Sequence, residues 1–128
     1  MAGQIIVSSR GVDILKLDPS GDFIATIPAG LRNRNALLEV LRRELRLPGY
    51  FGNNWNALSD CLRDLSWITS RRVVIVHDDV PQLDGRETAT YLNVLSNCIE
   101  DWKPGEQHEL IAVFRDGEKI WASHGRGA

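Results

Sequence analysis

Two short and almost unbroken apolar runs, Arg72-Val73-Val74-Ile75-Val76-His77 and Leu110-Ile111-Ala112-Val113-Phe114, bracket a long helical stripe. A strand that alternates apolar and polar residues keeps one wet face. A strand that is apolar at every position keeps none, and it belongs in the middle of a parallel sheet covered on both sides. Between the runs, Tyr91, Leu92, Leu95, Cys98, Ile99 and Trp102 recur at helical spacing. That spacing predicts a helix from about Arg86 to Trp102, entered through a loop from Asp78 to Gly85 and stopped by Lys103-Pro104-Gly105. Strand, helix, strand in this order is the crossover that parallel pairing requires.

Upstream the alternation repeats. Asp22 to Ile27 reads as a first core strand, after the turn Pro19-Ser20-Gly21. Asn33 or Asn35 can cap a helix whose apolar stripe is Leu37, Leu38, Leu41 and Leu45. Glu39 and Arg43 are spaced for an i,i+4 ion pair, and Pro48 is the expected stop. Leu47 to Asn54 then reads as a loop feeding a second helix, capped by Asn53 or Asn54. Trp55, Leu58, Cys61, Leu62 and Leu65 share one side of that helix, and Asn56, Ser59, Asp60, Arg63 and Asp64 share the other. At the N-terminus, Ile5-Ile6-Val7 and Val12 to Leu17, separated by Ser8 to Gly11, suggest a hairpin. At the C-terminus, Asp116-Gly117 signals another, with Lys119 to Ala122 returning as an edge strand before a frayed tail. The expected fold class is α/β: a small three-stranded parallel sheet flanked by helices, with extra antiparallel edge strands from the N- and C-terminal hairpins.

A chain of 128 residues fits one domain with a real core. Its formal charge of −2 argues against a general nucleic-acid binder and does not compel an acidic docking surface. No basic segment followed by a continuous apolar run opens the chain, so no signal peptide is expected, and no apolar stretch approaches the ~18 residues of a membrane span. Cys61 and Cys98 fall at apolar positions of separate helices and read as buried reduced thiols, which suits the cytoplasm.

The residues Leu47-Pro48, Tyr50-Phe51-Gly52, Asn54, Ala57-Leu58 and Asp60-Cys61-Leu62 recur at fixed spacings in one further set of proteins. Through them the chain resembles the barstar-like family, intracellular inhibitors of barnase-type ribonucleases. Arg63-Asp64-Leu65-Ser66-Trp67 continues in the form of longer bacterial members. More weakly, the resemblance runs from about Asp22 to Phe114 and leaves residues 1–21 as an N-terminal extension of a single domain. It implies the barstar-like three-stranded parallel sheet, although the loop after His77 is too short for the full extra helix found there in barstar. It implies a non-enzymatic, stoichiometric inhibitor or immunity partner of a secreted or toxin-type ribonuclease, monomeric until complexed. No cofactor, direct nucleic-acid contact or membrane is implied.

The resemblance also implies a partner-binding surface. Asp60 matches the aspartate whose carboxylate enters the ribonuclease active site in place of a substrate phosphate, taking charge-assisted bonds from the basic groups there. Tyr50 and Gly52 match the contact loop. Trp55 stands where leucine is found, and core packing is an equal reading of it. Asn56 replaces an aspartate, Ser59 an exposed tryptophan, Arg63 a threonine, and Asn97 a contacting glutamate. The loss of two carboxylates and an aromatic anchor points to a different ribonuclease or a weaker complex with barnase.

Other chemistries compete. A barstar-fold binding module could serve a partner that is not a ribonuclease. His77-Asp78-Asp79 leaves a buried strand at its carboxyl end, where α/β sheets gather ligands, and could hold a divalent metal in a small hydrolase; a polar turn is the plainer reading. His108 and His124 are isolated and read as solvated. Cys61 with a distant histidine could imitate a thiol enzyme, but its side of the helix is apolar and disfavours a thiolate. Arg32, Arg34, Arg42, Arg43, Arg46, Arg71 and Arg72 could meet nucleic acid, or simply pair with acids of the same chain.

Overall fold

The computed structural model describes residues 4–7, 20–49 and 51–114, with side chains from residue 20 onward. Four strands, β1 (Gln4–Val7), β2 (Phe23–Ile27), β3 (Arg72–His77) and β4 (Glu109–Phe114), form one sheet in the order β1-β4-β3-β2. Among the described residues all pairings are parallel. Three helices follow the same order along the chain: α1 (Arg34–Glu44), α2 (Trp55–Asp64) and α3 (Gly85–Asp101). None is long and apolar enough to cross a membrane.

The expected three-stranded parallel core is present as β2, β3 and β4. At the N-terminus, Ile5-Ile6-Val7 pairs in parallel with Ala112-Val113-Phe114, a contact the sequence reading did not anticipate. A local hairpin signal cannot reveal a partner more than a hundred residues away. The second half of that hairpin, Val12 to Leu17, and the C-terminal hairpin at 116–122 lie outside the described residues.

β3 and β4 are buried on both faces, as their unbroken apolar runs require. Val73, Ile75, Leu110, Ala112 and Phe114 join the main core with the helices, while Val74, Val76, Ile111 and Val113 form a second cluster on the opposite face. α1 presents Leu37, Leu38, Val40 and Leu41 to the core, α2 presents Leu58, Cys61 and Leu62, and α3 presents Tyr91, Leu92, Leu95, Cys98 and Ile99.

Local chemistry decides the helix ends. Asn33 caps α1 by accepting the Ala36 N–H at 2.8 Å. The helix ends at Glu44, before Pro48 is reached, because Arg46 turns into the left-handed region at φ 55°. The anticipated Glu39–Arg43 pair is not formed. Glu39 instead binds Arg42, one position nearer, and Arg43 lies 3.5 Å from Glu44. Positions i+3 and i+4 are both neighbours on a helix, so sequence spacing alone does not choose between them.

Tryptophan N–H groups tie the helices together at their C-terminal ends. Trp67 donates to the Leu45 carbonyl beyond α1, and Trp102 donates to the Leu62 carbonyl of α2, each at 2.9 Å. Both bonds satisfy carbonyls near a helix end, where intrahelical partners run out.

One ion pair is well shielded. Arg72, opening β3, donates to both carboxylate oxygens of Asp22 at 3.2 and 2.8 Å, with the Asp22 side chain only 10% exposed. Truncating the arginine removes both of these charge-assisted bonds from a mostly buried carboxylate. Arg72→Ala should therefore lower stability by about 1–3 kcal/mol, whereas Arg43→Ala on the exposed face of α1 should change it by about 0.5 kcal/mol or less. Urea unfolding of the two variants at neutral pH checks the contrast, and equal small effects would refute it.

Candidate partner-binding site

The loop between α1 and α2 is anchored from beneath and bare on top. Phe51 is buried, and its N–H bonds the Pro48 carbonyl at 2.9 Å. Gly52 is exposed, and a Cβ placed there would approach the Asn54 amide nitrogen to 3.4 Å. Tyr50 lies outside the described residues. Asn53 sits at φ 54°, a left-handed conformation that asparagine tolerates, and so turns the chain into the helix. Asn54 is therefore the cap, extended at φ −144° and accepting the Ala57 N–H at 2.8 Å. At the other end Leu65, at φ 48°, closes α2 with its N–H on the Cys61 carbonyl.

From this framework Asn56, Asp60 and Arg63 project from α2 as exposed residues, and Asn97 is exposed on α3, which packs beside it. Asp60 forms no ion pair among the described residues. Arg63 is engaged: its Nε lies 2.5 Å from the Asp101 carboxylate at the end of α3. Its charge is thus directed along the α2–α3 seam and compensated there.

Two positions differ from their simplest helical-wheel reading. Ser59, assigned to the polar side, is half-buried against α3, with its Oγ 3.7 Å from the Cys98 sulfur. The Cys98 thiol also approaches the Ser59 carbonyl at 3.6 Å. α2 packs against a neighbouring helix as well as the main core, so its covered arc is wider than a single apolar stripe. Trp55 is half-buried too. Its indole N–H donates to Glu87 Oε1 at 2.8 Å, and its ring lies tilted beside Tyr91, with centroids 5.8 Å apart. Core packing and surface display are both partly right for this residue.

The competing chemistries meet specific obstacles. His77 is fully buried, with Nδ1 3.0 Å from the Val113 carbonyl, Nε2 2.7 Å from the Tyr91 hydroxyl, and its ring stacked on Phe114 at 4.0 Å. Neither ring nitrogen is left to bind a metal. Among the described residues no group of three His, Cys, Asp or Glu side chains is placed to hold one. His108, expected to be solvated, is buried instead. Its two nitrogens face the Ser70 and Leu65 carbonyls, each at 2.9 Å, and Trp102 packs edge-on against it. The sequence places it in a polar stretch, and only tertiary contact reveals the pocket. His124 lies outside the described residues.

Burial, with Asp64 and Asp60 nearby, pushes the Cys61 thiol up, away from the thiolate that nucleophilic catalysis needs. Burial likewise raises Cys98, against a smaller opposing effect of the Ser59 hydrogen bond. Most of the arginines weighed as a nucleic-acid surface are paired within the chain: Arg34 with Glu87, Arg42 with Glu39, Arg43 with Glu44, Arg71 with Glu109 and Arg72 with Asp22.

Glu87 and Asp101 escaped the sequence reading. Each acts across helices, on Trp55 and Arg63 respectively, and no spacing in the sequence marks such a partner. The family model described as barstar (barnase inhibitor) matches residues 24–116, a span that takes in all three helices and nearly all of β2 to β4. No curated protein matches the chain.

Proposed function

The chain belongs to the barstar family, and from that we propose that it is a stoichiometric inhibitor of a ribonuclease, acting in the bacterial cytoplasm as the immunity partner of a secreted or toxin-type enzyme. The observation that carries this reading is Asp60: an exposed carboxylate on α2 within the family signature, with no ion pair among the described residues to compensate it. A ribonuclease cleft is built to receive phosphate, and an uncommitted carboxylate is a fitting occupant. Asn56 one turn earlier, Asn97 across the seam, Gly52 and Tyr50 in the loop, and the exposed part of Trp55 would surround it. Ser59 and Arg63 contribute less directly, since each is already engaged with α3.

The test is a titration. Purified protein added to barnase should reduce RNA hydrolysis in proportion to its amount, with an endpoint at one inhibitor per enzyme. Absence of inhibition by excess protein would remove barnase as the target, and absence of inhibition across a panel of related ribonucleases would remove the reading itself.

The surface also predicts how affinity can be raised. Asn56→Asp restores a carboxylate at an exposed position one turn from Asp60. Binding to barnase should tighten by about tenfold or more, equivalent to about 1.4 kcal/mol. The gain should shrink as salt rises, because the added attraction is electrostatic. Calorimetric titration at two ionic strengths checks both statements, and an unchanged or weakened affinity at low salt would contradict the docking face.

A further inference from the structure

We infer that Glu87 is a positioning residue for the partner-facing surface, an assignment that rests on the inhibitor reading for its functional consequence but not for its structural one. Glu87 lies in the first turn of α3, where the Asp84 cap receives its N–H at 2.9 Å. Its side chain reaches both other helices at their starts. Oε1 accepts the Trp55 indole N–H at 2.8 Å, and Oε2 lies 3.6 Å from Arg34 Nη1 at the opening of α1.

One carboxylate thus joins the N-terminal ends of α1, α2 and α3. The contact loop leaves the C-terminal end of α1 and enters α2 at this N-terminal end. The C-terminal ends have their own ties, through Trp67 and Trp102. Glu87 is the corresponding tie where the loop enters α2.

The consequence falls on Trp55. Its ring is wedged between the Glu87 carboxylate on the outside and Tyr91 on the inside, and Tyr91 is in turn fixed by its bond to His77. A half-buried tryptophan without a polar partner would have to trade burial against hydration of its N–H. With the partner, the ring is held in one orientation. Trp55 is also the first residue of α2, immediately after Asn53 and Asn54, so fixing it fixes the loop's exit. A surface held in its bound shape loses less entropy on association. The indole N–H is consumed internally, so what Trp55 can offer a partner is ring carbon rather than a hydrogen-bond donor.

Two substitutions separate the elements of this assignment. Glu87→Gln keeps an acceptor for Trp55 but loses the charge that faces Arg34. Glu87→Leu keeps the bulk and loses both. The readouts are the indole N–H resonance of Trp55 in nitrogen-15 spectra, assigned with Trp55→Phe, and amide hydrogen exchange at Phe51, Ala57 and Leu58. The probe for binding is barnase. In Glu87→Leu the Trp55 resonance should move, exchange at the three amides should speed by about tenfold, and barnase affinity should fall by about tenfold. Exchange in β3 should stay unchanged, and Glu87→Gln should remain close to the parent protein. Unchanged exchange and resonance in Glu87→Leu would overturn the positioning role. Faster exchange confined to the loop, with no barnase binding by the parent protein, would support the positioning role and remove barnase as the target. Equal loosening of β3 would show a general structural role and overturn the assignment.

Discussion

Replacing Asp60 with alanine should abolish or greatly weaken inhibition of the target ribonuclease while leaving the fold intact. The two effects separate because of where the residue stands. Asp60 is exposed on α2, whereas Leu58, Cys61 and Leu62 carry the packing. It caps nothing and forms no ion pair among the described residues. Alanine is the better helix former, so the change in stability should stay within about 0.5 kcal/mol. Binding is another matter. A carboxylate desolvated against a cationic cleft leaves that cleft unpaired when it is removed, which typically costs ~2–5 kcal/mol or more. Barnase–barstar is itself one source of that range. Inhibition should therefore weaken by roughly 30-fold to several thousand-fold. Thermal melting reports the first effect, and titration of ribonuclease activity reports the second. A variant that melts far lower would make Asp60 a structural residue. A variant that inhibits undiminished would move the plug elsewhere on the surface.

Much of the architecture was legible because it rests on local pattern. The apolar runs at β3 and β4 announced strands buried on both faces, and the stripes of α1, α2 and α3 announced which sides pack. The cap of α2 was narrowed to two asparagines by composition and decided by conformation, since Asn53 occupies the left-handed turn and leaves Asn54 extended. What could not be read was pairing across distance. β1 lies beside β4, at one end of the sheet among the described residues, and nothing near residues 4–7 encodes that choice.

The candidate site divides along the same line. The signature identified α2 and its loop, and hydrophobic periodicity placed Asn56, Asp60 and Arg63 outward. The seam with α3 adds partners that the sequence does not show at three positions of the site. Ser59 turned toward Cys98, Arg63 was taken by Asp101, and Trp55 was taken by Glu87. Each involves a residue more than thirty positions away. His108 was misjudged for a related reason. A histidine in a polar stretch looks solvated, yet His108 is buried with both nitrogens in hydrogen-bond contact. His77, at the end of the strand the apolar run announced, is buried with both nitrogens engaged as well.

The buried His77 should make the fold sensitive to mild acid. Loss of hydration lowers its pKa to about 4, against smaller opposing effects of the Val113 and Ile75 carbonyls. With Nδ1–H donating to Val113, Nε2 keeps its lone pair and accepts the Tyr91 hydroxyl, whose own ionisation is pushed up by burial. The folded protein therefore holds this ring neutral, while the unfolded chain protonates it near pH 6.5. Between about pH 6.5 and pH 4 the unfolded state binds one proton more than the folded state. The contribution is fully present above pH 6.5, is lost as pH falls through that window, and amounts to about 3 kcal/mol by its lower end. His77→Phe keeps a ring to stack on Phe114 but strands the Tyr91 hydroxyl and removes a hydrogen bond from the Val113 carbonyl. At neutral pH it should cost about 2–4 kcal/mol, since each buried group left unpaired costs roughly 1–3 kcal/mol. Below pH 6.5 its stability should fall less steeply than that of the parent, by up to one proton's slope, about 1.4 kcal/mol per pH unit. Carboxylates that titrate in the same range affect both proteins alike and cancel in the difference. Urea unfolding of the pair at pH 7, pH 5.5 and pH 4.5 measures it; parallel curves would show that His77 carries no such linkage, and a parent protein that gains stability on acidification would reverse the sign of the argument.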